Sequence, residues 1–263
     1  MKRIGFVLLL ASLSVVGQAE TLSGLCMIAM SHNSVRNVDM ADVMLHRSSC
    51  GDDRHDCGTS ESSNISWARL SGVSPEALGH EGVQLTGEMK GDAGTLQCSG
   101  TVHEGVLAGR YEFTPNAAFV QKMSSMGFDE ITANKQEGML MLDVTTAWVQ
   151  QMKDAGVADL STGKLMGLRA LHVDVDYVHA MAVAGFPELR AGKLTEMKAV
   201  GVTPEKAKEA KAMGFQPSEQ DLIQMSIFKI DRPFVERMRA RGLTNLSLQK
   251  LIQIKIFKLD DQG

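Results

Sequence analysis

No Cys-x-x-Cys pair, no His-Glu-x-x-His and no ordered set of serine, histidine and aspartate occurs in this 263-residue sequence. These absences remove the thioredoxin-type redox motif, the helical zinc-peptidase motif and any catalytic triad that sequence order could nominate. Positive charge is also scarce: 27 Lys and Arg stand against 31 Asp and Glu, which is no footprint for a nucleic-acid partner. Nor does any apolar run reach the roughly 20 residues that a membrane-spanning helix needs.

What is present begins with "MKRIGFVLLLASLSVVGQAE": Lys2 and Arg3, an apolar run from Ile4 to Val16, then Gly17 and Ala19 at the −3 and −1 positions of a cleavage point. That is the layout of a secretory signal peptide over residues 1–19, and it predicts a periplasmic or secreted chain. "SGLC" lacks the small residue expected just before a lipidated cysteine, so no lipid anchor is expected. Residues 20–118 carry 6 basic and 13 acidic side chains, residues 119–263 carry 19 and 18. A shift of that kind predicts two domains, 20–115 and 116–263.

All four cysteines, Cys26, Cys50, Cys57 and Cys98, lie in the acidic part. Export favours oxidation, and three pairings are formally possible. Cys50–Cys57 closes a short loop and is the preferred bridge, which leaves Cys26–Cys98. Between Cys50 and Cys57 stand Asp52, Asp53, His55 and Asp56. Reduced, this loop would offer thiolates and an imidazole to a metal; oxidised, it is a closed polar loop, and no cofactor or metal is expected.

One phrase is written five times: "FVQKMSSMG", "WVQQMKDAG", "YVHAMAVAG", "KAKEAKAMG" and "FVERMRARG". Its glycines, Gly127, Gly156, Gly185, Gly214 and Gly242, are spaced 29, 29, 29 and 28 residues apart. Phe119, Trp148, Tyr177 and Phe234 stand eight residues before the glycine, and Met123, Met152, Met181 and Met238 four before it. These fall on one helical face, and the glycine is the expected left-handed stop. The apolar residue after it (Phe128, Val157, Phe186, Phe215, Leu243) folds back on the helix.

A second helix then starts at Thr132, Ser161, Ser218 or Ser247, each a good N-cap, whereas the third copy has Arg190 there. Thr145, Asp174, Thr203 and Asp231 begin the next unit, and Asp260 holds the same place after the last. Each unit reads as an αα-hairpin whose helices, roughly ten residues long, are too short to persist alone, so five of them should stack into a solenoid. The first copy has Gln136 where later copies have leucine, as a terminal unit may. The last copy runs into "KLDDQG" without a follower.

Ahead of the array, apolar residues alternate through Val83, Leu85 and Met89, then Leu96, Cys98 and Val102, then Leu107, Tyr111 and Phe113. Period two predicts a three-stranded antiparallel meander over 83–114, broken at "KGDAG" and "HEGV". Leu25 to Met30 offers a further strand. Residues 31–80, rich in Ser, Asp and Asn, read as mostly loop, apart from "SWARLSGVSPEAL", where Trp67 and Leu70 anchor a short helix or strand. The expected fold is therefore α+β: a small disulfide-linked β-meander domain followed by an all-α solenoid.

The run "DAGTLQCSGTVHEGVLAGRYEFTPNAAFVQKMSSMGF" with units such as "FVERMRARGLTNLSLQKLIQIKIFKLD" resembles a group of exported bacterial proteins. Similar helical units occur in the C-terminal parts of some membrane-bound sensor peptidases related to β-lactam antirepressors. Such peptidases hold zinc through His-Glu-x-x-His. Here His80-Glu81 and His103-Glu104 each lack the second histidine, so the resemblance carries over no catalytic residue.

Two further features bear on function. Most of the seventeen methionines recur at helix-core positions, where methionine fills gaps; His172 and His179, at a repeat junction, have no acidic or cysteine partner at ligand spacing on an evident shared face. In the fourth copy, "PEKAKEAKAMG" puts Lys206 in place of the aromatic residue and Ala210 in place of the methionine. The lost bulk predicts a shallow groove beside Lys206, Lys208 and Lys211, a docking patch for an acidic protein or peptide, or for the chain's own acidic domain. These observations favour a non-enzymatic periplasmic interaction or regulatory module. The alternatives are a hydrolase or metal-dependent activity in the amino-terminal domain, or metal sequestration by residues 50–57.

Overall fold

The structure is a computed structural model that describes residues 21–33, 38–47 and 59–259. The expected signal peptide, the Cys50–Cys57 loop with its aspartates and His55, and Asp260 lie outside the described residues. Among those described, seven strands form one antiparallel sheet: β1 (Leu22–Asn33), β2 (Val38–Arg47), β3 (Thr59–Ile65), β4 (Leu70–Ser71), β5 (Gln84–Gly91), β6 (Gly94–His103) and β7 (Val106–Pro115). Their order is β3-β2-β1-β7-β6-β5-β4. The meander is β5, β6 and β7, with its reversals at the two expected breaks, and Leu25 to Met30 lies inside β1.

Reading residues 31–80 as mostly loop is corrected by β2 and β3. Ala41, Val43, Leu45 and Ile65 point into the core. The other face carries Asp42 and His46, which stand opposite Asn64 and Ser60 across the strands: Ser62 Oγ donates diagonally to Asp42 Oδ1 at 3.1 Å and His46 Nδ1 lies 2.9 Å from Ser60 Oγ. β3 is an edge strand with a polar outer face, so its composition resembles that of a loop. "SWARLSGVSPEAL" holds a 3₁₀ turn (Trp67–Arg69), β4 and a single-turn helix, α1 (Pro75–Leu78).

Cys26 and Cys98 are disulfide-bonded, with Cα atoms 6.0 Å apart. They sit on β1 and β6, which are separated by β7. Across a flat sheet two strand spacings are about 9–10 Å, so the sheet curls sharply over β7. Gly100 and Gly109 face each other in the register at this bend. A Cβ on them would stand 2.1 Å from the Ala108 carbonyl oxygen and 2.0 Å from that of Ser99, so only glycine permits the approach.

After Pro115 come ten nine-residue helices: α2 (Ala117–Ser125), α3 (Ala133–Met141), α4 (Thr146–Asp154), α5 (Thr162–Ala170), α6 (Val175–Val183), α7 (Ala191–Ala199), α8 (Pro204–Ala212), α9 (Glu219–Ile227), α10 (Arg232–Ala240) and α11 (Leu248–Ile256). No helix of the described residues is long and apolar enough to cross a membrane. The expected caps are in place: Thr132, Thr145, Ser161, Asp174, Thr203, Ser218, Asp231 and Ser247 each accept a backbone N–H three residues on. Arg190 makes no side-chain cap. The five repeat glycines take φ between 76° and 94°, and the N–H of the following apolar residue bonds back across the helix end, as Phe128 does to Met123 O.

The second helix of each unit stops the same way, at Asp143, His172, Gly201, Lys229 and Lys258, all with positive φ. Only one of these is glycine, so four of the five stops carry left-handed strain of order 1 kcal/mol and gave no sequence signal.

Phe119, Trp148, Tyr177 and Phe234 are buried, as are Met123, Met152, Met181 and Met238. α5, α7, α9 and α11 pack in succession, α2 packs on α4, and α6 on α8. A cation covers three of the rings: Arg169 lies 5.3 Å from the centre of Trp148, Lys198 4.4 Å from Tyr177 and Lys255 4.3 Å from Phe234. The fold is α+β, and its buried side chains run without a break from the sheet into the helices.

The join is made by α3, which packs on β3, β6 and β7. Here the unusual Gln136 has its reason: its Oε1 accepts the Asn116 backbone N–H at 3.1 Å, at the end of β7. Next to it Glu137, 1 % exposed, takes Arg47 on its Oε2 at 3.1 Å. Arg69 donates to the Leu140 and Met141 carbonyls ending α3, and Asp92 Oδ2 accepts both the Thr146 N–H and its hydroxyl at 2.8 Å.

Burial holds the Glu137 carboxyl above the usual carboxylate range, with Arg47 opposing. The folded chain therefore binds this proton more tightly than the unfolded chain does. Stability from Glu137 is present below the ordinary carboxylate value and is lost as pH rises through the raised folded value. Glu137→Gln should remove that dependence: the melting temperature of the wild type relative to the variant should rise on acidification from pH 7 to 5. Parallel melting curves would refute the assignment. Glu61, also raised by burial, shares Arg47 with Glu137 and repels it, so Glu61→Gln is measured alongside to separate the two carboxyls.

Candidate functional site

The fourth helix pair departs from its sisters at two corresponding places. Thr203 caps α8, with Pro204 at its first position, and this fixes Lys206 where the other units put a ring. On the second helix the covering cation stands four residues after a buried leucine: Arg169 after Leu165, Lys198 after Leu194, Lys255 after Leu251. After Leu222 that position is Ser226. Ring and cation are thus both replaced, and the substitutes touch: Lys206 Nζ lies 3.3 Å from Ser226 Oγ and donates to Gly201 O at 2.7 Å.

A groove of about 250 Å³ opens here between α8 and α9. Its walls include Met213, Leu222, Met225 and Ile230, all buried. Lys206, Lys229, Glu209 and Asp231 stand around it. The two carboxylates are already engaged: Glu209 takes Arg232 Nε at 3.3 Å, and Asp231 caps the Phe234 N–H at 2.9 Å. Among the described residues neither Lys206 nor Lys229 is paired with a carboxylate. The groove is apolar below, with two lysines unpaired with any described carboxylate and two engaged carboxylates at the rim.

The three lysines expected to form one patch do not share a face. Lys206 lines the groove; Lys208 is exposed beside Glu205, whose carboxyl it helps to hold below the usual range after that group's own N-cap bonds. Lys211 reaches the preceding unit, donating to Ala184 O at 2.7 Å with its Nζ 4.9 Å from the Phe186 ring centre. Lys153 on Met126 O and Arg239 on Met213 O do the same two units earlier and one later. Lys211 is therefore a fastener between helix ends, neutralising the negative pole of α6.

A second, polar hollow of about 470 Å³ lies where β3 meets the helices, lined by Ser62, Asn64, Arg69, Asp143, Arg169 and His172 among others. Both guanidiniums point at Asp143, Arg169 at 2.8 Å and Arg69 at 3.6 Å. Arg169 also donates to the Asp143 carbonyl at 3.0 Å, so the arginines clamp the end of α3. Sequence reasoning missed this cluster, because its members come from three separate segments.

The two His-Glu pairs are brought together: His103 Nδ1 is 2.7 Å from Glu81 Oε1, and Glu81 Oε2 accepts the Glu104 N–H at 2.9 Å. These bonds hold the Glu81 carboxyl below the usual range, the backbone bond first. Both side chains are exposed and neither lies on a helix. Among the described residues no three His, Cys, Asp or Glu side chains are arranged to hold a metal. The methionines divide as well: those at the face positions of the units, Met123, Met152, Met181 and Met238, are buried, while Met27, Met30 and Met44 are exposed on the sheet.

Compared with known proteins, the chain matches no family model, no curated protein and no solved structure.

Proposed function

We propose that this chain is a non-enzymatic interaction module of the bacterial periplasm, in which a disulfide-linked sheet carries a helical-repeat scaffold that docks a protein or peptide. The ten helices are read as five stacked αα-hairpins forming a solenoid, an architecture suited to extended binding surfaces. Their 29-residue recurrence, the shared glycine stops and the buried ring and methionine of four of the five units support that reading. The Cys26–Cys98 bond and the signal-like first nineteen residues support export. The observation that carries the functional reading is the groove between α8 and α9: an apolar floor with two lysines that no carboxylate neutralises.

The test is cross-linked capture from the native envelope by the full chain and by Lys206→Glu. A partner captured by the wild type and lost with the variant supports docking at the groove; equal capture by both removes the groove as the site. Lys211 is left intact, because reversing its charge would break the fastener to Ala184.

A further inference from the structure

Building on the reading of the fourth unit as a docking groove, we infer that the groove takes an aromatic side chain carried beside a carboxylate on a partner polypeptide. Four of the five units fill the corresponding place with a ring of their own: Phe119, Trp148, Tyr177 and Phe234, each buried. In three of them a cation from the second helix covers the ring. The fourth unit keeps the walls of that compartment and removes its content.

The walls correspond residue by residue. Leu222 and Met225 repeat Leu194 and Met197 of the unit that holds Tyr177, and Ile230 repeats Val202, whose carbonyl accepts the Tyr177 hydroxyl at 2.9 Å. Lys206 is too thin to fill the space and turns to Gly201 O and Ser226 instead. What remains is about 250 Å³, against the 150 Å³ or so of an apolar cavity known to admit benzene. Methionine sulfur on the floor suits a ring edge, and a lysine at the rim suits its face.

Charge selects the flank of the incoming residue. Glu209 and Asp231 are engaged with Arg232 and the Phe234 N–H. Asp231 keeps its charge but is turned to the start of α10, and the rim cations without an ion-pair partner among the described residues are Lys206 and Lys229. A carboxylate next to the ring, from an acidic neighbour or from a chain terminus, meets them as the ring enters.

Three probes decide the matter: N-acetyl-L-phenylalanine, its primary amide and N-acetyl-L-leucine, titrated onto the full chain and followed by backbone amide chemical shifts. The phenylalanine acid should saturate in the millimolar range with shifts confined to residues 206–231. Its amide should bind about threefold more weakly, having lost an exposed ion pair, and the leucine acid about tenfold more weakly, having lost the cation–ring contact. Lys206→Phe restores a ring to the place; it should abolish the shifts and raise the melting temperature, which also shows that the variant folds.

Leucine binding as well as phenylalanine, or unchanged probe binding to Lys206→Phe, overturns the inference. So does the absence of any saturable shift up to the solubility of the probe. In that last case the docking reading still stands if Lys206→Glu loses the captured envelope partner, so the two failures are distinguishable.

Discussion

Replacing Cys98 with alanine should lower the free energy of unfolding by about 4 kcal/mol, the cost of releasing a loop of this length in the unfolded chain. The bond joins residues 72 apart, and Cys26 and Cys98 are both fully buried, so alanine adds no unsatisfied polar group. Urea denaturation of wild type, of Cys98→Ala and of the double variant that combines Cys26→Ala with Cys98→Ala measures it, and the single and double variants should agree. A loss below about 1 kcal/mol would show that the curl over β7 holds without the bond. The same experiment reaches the loop outside the described residues: adding reductant should destabilise the double variant, whose only cysteines are Cys50 and Cys57, if those two are bonded, and leave it unchanged if they are not.

Trp148→Ala should cost about 4 kcal/mol, as large-to-small changes of a buried aromatic residue do. Trp148 is 6 % exposed and lies under Arg169. Arg169 in turn holds Asp143, and Arg69 approaches the same carboxylate from the sheet side. The ring therefore props the clamp that fixes α3. Its Nε1 has no hydrogen-bond partner among the described residues, so Trp148→Phe forfeits volume and nothing polar, and should cost less than about 1.5 kcal/mol. Equal losses for the two variants, read from urea midpoints, would contradict this account.

The helical part was legible because its stops are written in glycine and its faces in aromatic residue and methionine. These are strong local signals, and every first helix ends where they place it. The second helices were legible at their starts, through Thr and Ser caps, and illegible at their ends, where Asp143, His172, Lys229 and Lys258 accept a conformation that composition does not announce. In the sheet, β5 to β7 alternate plainly. β2 was overlooked although Ala41, Val43 and Leu45 alternate in "DMADVMLHR"; its polar neighbours on both sides hid it. β3, an edge strand of serines, shows its character only beside β2.

The candidate groove was half legible. Lys206 stood out against the repeat, but its counterpart Ser226 did not. The fourth unit is one residue shorter, so the second-helix positions align only once Leu222 is known to match Leu194. Lys208 and Lys211 looked like companions of Lys206 because they are near in sequence. Helical geometry separates them, and a carbonyl of the preceding unit claims Lys211.

Gln136 and Glu137 are written once, in the first helix pair, and nowhere else do amide and carboxylate replace the hydrophobic pair such as Ile223 beside Leu222. They act as an origin mark for everything after them. On the stacked-hairpin reading proposed above, whole pairs gained or lost beyond Val173 would leave that joint, the Asp92–Thr146 contact and the Arg169 clamp in place, so the helical part can change length in steps of one pair while its attachment point stays fixed.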